Sequence, residues 1–152
     1  IFNKILCFWV FMTSNIAINR LTREYKKLEA SPVDNIIPVP NPKNLFEWHF
    51  LIYGLKDSVY SDGFYHGKII FPVEYPHKPP QIKFVTPSGR FETNKQICLS
   101  YTNFHPESWN PSWTIETMLV GLISFMNTNE MTAGGLRDSD GNRRIYAKRS
   151  LQ

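Results

Sequence analysis

Residues 45–84 read LFEWHFLIYGLKDSVYSDGFYHGKIIFPVEYPHKPPQIKF, and their spacing decides the fold. In Leu45–Gly54, bulky Phe46, Trp48, Phe50 and Ile52 alternate, the period of a strand with one face buried. A next strand enters through the turn pair Asp62-Gly63 and runs to Pro72. QIKFVT, from Gln81, predicts another. NIIPVP, at residues 35–40, predicts a first strand, and its prolines suit it to a sheet edge. The links carry no helix pattern, so the four strands predict an antiparallel meander. EYPHKPP connects the last two strands; Pro79 and Pro80 have fixed φ and no amide proton, which makes this loop rigid.

Helices flank the strands. AINRLTREYKKLEA (residues 17–30) repeats Ile18, Leu21, Tyr25 and Leu28 at helical spacing, with Arg20, Arg23, Lys26 and Lys27 elsewhere. Asn15 or Asn19 is placed to cap it, and SPVDN ends it. PSWTIETMLVGLISFMN predicts a helix capped by Thr114, with Ile115, Met118, Leu119, Leu122, Ile123 and Met126 as its apolar stripe. RRIYAKRSLQ predicts a last helix cut by the chain end. The order is helix, four strands, long loop, helix, short helix, an α+β domain with helices against an antiparallel sheet.

We divide the chain into a core domain, residues 17–152, with a truncated last helix, and a hydrophobic extension, residues 1–16, of unassigned role. KILCFWVFM in that extension is shorter than the roughly 20 apolar residues a spanning helix needs, and no small-residue cleavage site follows it cleanly. The chain opens on Ile1 rather than Met, which suggests a piece of a longer protein. At 42% hydrophobic and 20% charged, its 152 residues have a folded globular profile. The net charge of +4 is compatible with acidic proteins, anionic lipid or nucleic acid, but no basic run of five argues for the last. Cys7 and Cys98 form no disulfide framework, which fits a reducing compartment. His49, His66, His77 and His105 are too scattered for a zinc site.

KQICLSYTNFHPESWNPSW (Lys95–Trp113) carries the candidate chemistry. Cys98 ends a loop marked by Pro87 and Gly89, where reactive groups are commonly displayed; a small buried hydrophobe is the competing reading. A nucleophilic cysteine ordinarily needs a histidine base oriented by a third group. His105 is nearest in sequence, but nothing in the spacing requires it to turn back.

FPVEYPHKPPQIKF, ICLS and WNPSWTIETMLVGLISFM, in this order, resemble the ubiquitin-conjugating enzymes over about residues 17–150. TPSGRF and FHPESWNPSW resemble the J-type branch more narrowly. That branch is held on the cytosolic face of the endoplasmic reticulum by a C-terminal membrane helix and serves ER-associated degradation. The resemblance implies that Cys98 takes ubiquitin from the activating enzyme as a thioester. It then passes ubiquitin, usually with a RING-type ligase, to a substrate lysine or a hydroxyl, with no metal or organic cofactor. A thioester is already activated, so a strong base on Cys98 is not required.

The resemblance also assigns roles. Most members carry His-Pro-Asn before the cysteine; the J-type branch tends to Thr-Pro-Asn-Gly, and here Ser88 stands where its asparagine would be. Ser88 and the nearby Asn94 are therefore candidates for oxyanion or loop support, against the plainer reading that both only shape a turn. Arg20 and Arg23 match the activating-enzyme surface. His77, Lys78, Pro111, Ser112 and Trp113 match the ligase surface. His105 is a candidate gate, and an ordinary imidazole pKa near 6.5 would make gating pH-sensitive. Two alternatives remain: an inactive binding module, against which Cys98 argues, and a cysteine hydrolase, which needs a His–acid pair absent from the sequence pattern.

Overall fold

A computed structural model describes residues 2–152, with side chains from Asn15 onward. The readings of Lys4–Met12 and of Cys7 as a side chain fall outside the described residues. The chain runs α1 (Phe2–Ala30), β1 (Ile36–Asn41), β2 (Asn44–Tyr53), β3 (Phe64–Ile70), β4 (Gln81–Phe84), α2 (Ile115–Met126) and α3 (Asp140–Arg149). This is the expected α+β order. The sheet is a meander, β1-β2-β3-β4, with every neighbouring pair antiparallel. β1, with Pro38 and Pro40, lies at the edge.

Alternation in β2 and β3 separates two faces. Trp48, Phe50, Ile52, Tyr65 and Ile69 are buried, as are Ile82 and Phe84 of β4. Gly67 has a steric reason: a Cβ there would sit 2.1 Å from the Phe50 ring. The opposite face carries Glu47, His49, His66 and Lys68, with the two histidine rings stacked 4.9 Å apart.

α1 differs from its expected pattern. Its buried residues are Ala17, Leu21, Glu24 and Leu28, whereas Ile18 is exposed and Tyr25 half-buried. Tyr25 instead meets Trp48 edge-on at 5.9 Å. A carboxylate thus occupies a place in the stripe that the hydrophobic pattern skips. The helix also continues through Asn15 and Asn19, so neither is a cap.

α2 follows the expectation. Ile115, Met118, Leu119, Leu122 and Met126 are buried, with Ile123 packed beside them. Thr114 caps it by accepting the Thr117 amide, and Thr117 returns the bond to the Thr114 backbone. α3 begins three residues before Arg143 because Ser139 caps it, and it closes on Ser150.

Candidate active site

Aromatic contacts carry the core out to the loop around Cys98. Trp48 meets Phe71, Phe71 meets Tyr75, and Tyr75 lies 6.2 Å from Trp109. Trp109 meets Trp113, which meets Tyr101. Trp109 also donates from its indole to the Pro76 carbonyl at 2.7 Å. Residues 98–113 hold little regular structure but are pinned by large rings.

Cys98 itself is fixed through its backbone. Its amide donates to the Ala133 carbonyl at 3.0 Å, and its carbonyl accepts from Thr132 Oγ1 at 2.6 Å. Buried Thr102 accepts the Leu99 amide and donates toward the Ile97 and Leu99 carbonyls. Gly134 permits this approach: its φ is +80°, and a Cβ would lie 2.2 Å from the Gln96 oxygen. Arg90 closes the far side. It is 1% exposed, stacks on Phe91 and Phe125, and donates to the Phe125 and Glu130 carbonyls. Its charge sits beside the C-terminal carbonyls of α2, where a cation is favoured.

The sulfur is half-buried in a cleft of about 440 Å³ lined by Tyr101, His105, Ser108, Gly121, Phe125 and Glu130 among others. Cys98 Sγ lies 3.1 Å from His105 Nε2, and His105 Nδ1 lies 2.9 Å from Glu107 Oε1. The loop does turn back. Because an ionised carboxylate only accepts, Nδ1 carries its proton toward Glu107, which leaves Nε2 free to accept from the thiol. The His105 hydrogen bond holds the Glu107 carboxyl below the usual carboxylate range. The His–acid pair missing from the sequence pattern is thus formed by His105 and Glu107.

The other predicted residues are distributed as follows. Ser88 is fully buried, accepts the Arg90 amide, and does not line the Cys98 cleft. Asn94 is exposed at φ +60° in a turn, its amide bonded to the Phe84 carbonyl. His77, Lys78, Pro111 and Ser112 are exposed, and Trp113 is half-buried. Arg23 is exposed, while the Arg20 side chain is 13% exposed and turned onto the 111–113 backbone. Sequence reasoning passed over Glu107, Thr102, Thr132, Arg90 and Glu24. Of these only Glu107 left a trace, an acid two residues after His105.

Residues 20–140 match the family model of the ubiquitin-conjugating enzymes, and the chain belongs to that family. It is 51% identical over 137 residues to ubiquitin-conjugating enzyme E2 6 of Schizosaccharomyces pombe, covering 90% of this chain and 60% of the relative. It is 46% identical to an E2 J2-like enzyme of Dictyostelium discoideum, covering 88% and 79%. It is 45% identical to E2 J2 of Bos taurus, covering 89% and 52%. The J-type resemblance is borne out by these relatives. Among the described residues no helix is long and apolar enough to cross a membrane.

Proposed function

We propose that the chain is the catalytic part of a J-type ubiquitin-conjugating enzyme. Cys98 Sγ attacks the thioester carbonyl presented by the activating enzyme. The new C–S bond forms as the old one breaks, and the departing thiolate takes the proton that Cys98 gives up. The loaded Cys98 then yields ubiquitin to a substrate amine or hydroxyl. The acyl donor arrives activated, so the reaction calls on positioning and proton transfer rather than a metal or organic cofactor.

The observation that carries this reading is the half-buried Cys98 thiol, 3.1 Å from a histidine oriented by an acid, at the mouth of a cleft. Once the sulfur is acylated, His105 faces the acyl group as a base for the incoming nucleophile. A hydroxyl needs that base more than an amine does. The gating role proposed for His105 thereby becomes a proton-transfer role. Ser88 and Asn94 act through loop shape, in keeping with their turn hydrogen bonds. Arg23 offers an exposed contact for the activating enzyme, and His77, Lys78, Pro111, Ser112 and Trp113 a RING-ligase surface. Work at the endoplasmic reticulum in ER-associated degradation is the setting we propose, through an anchor in a longer parent protein.

The test mixes the chain with activating enzyme, ubiquitin and ATP and resolves the products without reductant. A thiol-sensitive adduct that Cys98→Ala abolishes is expected. A folded chain that forms no adduct overturns the reading. The same Cys–His–Glu geometry would serve a hydrolase. Rapid release of ubiquitin to water, as fast as to an added amine or serine, would favour that second function.

A further inference from the structure

Arg20 and Glu24, one turn apart on α1, converge on residues 111–115 through contacts that span 91 to 93 positions of sequence. Arg20 Nη1 donates to the Pro111 carbonyl and Nη2 to the Trp113 carbonyl, each at 2.9 Å. Its Nε is paired with Glu24 Oε1. Glu24 is 5% exposed; its Oε2 accepts the Ile115 amide at 2.6 Å and its Oε1 the Tyr75 hydroxyl at 3.0 Å. Ile115 opens α2, so this amide is one of the helix's unpaired donors, and a carboxylate at that end also suits the helix dipole. Tyr75 leads into His77 and Lys78. A single part-buried ion pair therefore ties α1 to both loops of the ligase surface proposed above.

We propose that Arg20 and Glu24 are positioning residues that hold the 111–115 loop in its ligase-facing shape, and that Arg20 does not serve as a direct activating-enzyme contact. The planar guanidinium fits two carbonyls and a carboxylate at once; a lysine ammonium is a point charge on a flexible stem and does not reproduce that fork. The neighbouring Arg23, exposed, is left to face the activating enzyme.

This inference rests on the ligase reading, and the experiment separates the two. The full chain, with Arg20→Lys, Glu24→Gln and Arg23→Ala, is charged with ubiquitin. It is then titrated with an isolated RING domain chosen because it stimulates the wild type. For Arg20→Lys and Glu24→Gln, the RING concentration giving half-maximal discharge rises about fivefold or more, and by more than charging slows. Arg23→Ala gives the opposite split. Amide exchange at Trp113 and Ile115 rises in Arg20→Lys with the rest of α2 still protected. Charging that falls as far as the RING response in Arg20→Lys, or exchange at Ile115 equal to wild type, overturns the positioning role. A wild type that charges but responds to no RING domain overturns the ligase reading alone, since the exchange measurement still reports on the loop. If Glu24→Gln does not fold, Arg20→Lys and the exchange data decide.

Discussion

Ser88 is the residue on which the resemblance and the geometry differ most. Its hydroxyl is spent on the Arg90 amide inside a buried turn, away from the Cys98 cleft. Removing an oxyanion donor slows a reaction roughly a hundred- to a thousand-fold. We therefore expect Ser88→Ala to change single-turnover discharge by less than about threefold, well short of that loss. Stability should fall by about 1–3 kcal/mol, because the Arg90 amide loses its partner. A larger rate loss in a stable protein would restore the oxyanion role. Tyr101 offers the converse case. Its hydroxyl is buried beside Gly121 with no hydrogen-bond partner among the described residues, and burial pushes its pKa up. Tyr101→Phe keeps the ring against Trp113 and removes an unpaired polar atom. Urea unfolding should show it unchanged or more stable, by up to about 2 kcal/mol; a clear loss would reveal a partner for the hydroxyl.

At the scale of elements, the irregular segment that carries Cys98 is held by residues 132–135 as well as by the bond from the Ile97 amide to the Ile82 carbonyl of β4. Gly134 is where they touch, and both its positive φ and the 2.2 Å gap to Gln96 exclude a side chain. Gly134→Ala should cost about 1–3 kcal/mol in urea unfolding. Because the shift falls on the backbone beside Cys98, charging should slow as well. Normal charging in a destabilised variant would show that Cys98 tolerates movement of this support. The elements themselves were legible beforehand. Alternation marked the strands, the apolar stripe and Thr114 marked α2, and prolines marked the edge strand. α1 was misread at Ile18 because the buried stripe includes Glu24, and no hydrophobicity pattern reports a carboxylate buried by its hydrogen bonds.

For the whole molecule, the outer face of the sheet sets a pH dependence. His49 Nδ1 lies 2.7 Å from His66 Nε2, with Glu47 and Lys68 alongside. His66 is held below an imidazole's ordinary range, first by burial, then by the charges of His49 and Lys68. Since its folded pKa is the lower one, the unfolded chain takes up the proton first as pH falls below about 6.5. Stability is full above that pH and is lost as pH drops toward the folded pKa. Urea midpoints should fall between pH 7.5 and 5.5, with a slope from this group of at most about one proton, and His66→Gln should flatten it. An equal slope in the variant would assign the effect elsewhere.

Sequence by itself determined the kinds and order of the elements, the placing of Cys98 at a displayed loop end, and the family through ordered motifs. Those features are local: periodicity and turn chemistry act within a few residues. The tertiary structure decided which groups meet. It set His105 on Cys98 with Glu107 behind it, sent the Ser88 hydroxyl into a turn, and turned Arg20 from the surface onto residues 111–113, 91 to 93 positions away. Such contacts depend on how the elements pack and on which polar groups, once buried, must find partners; residue spacing along the chain does not encode that.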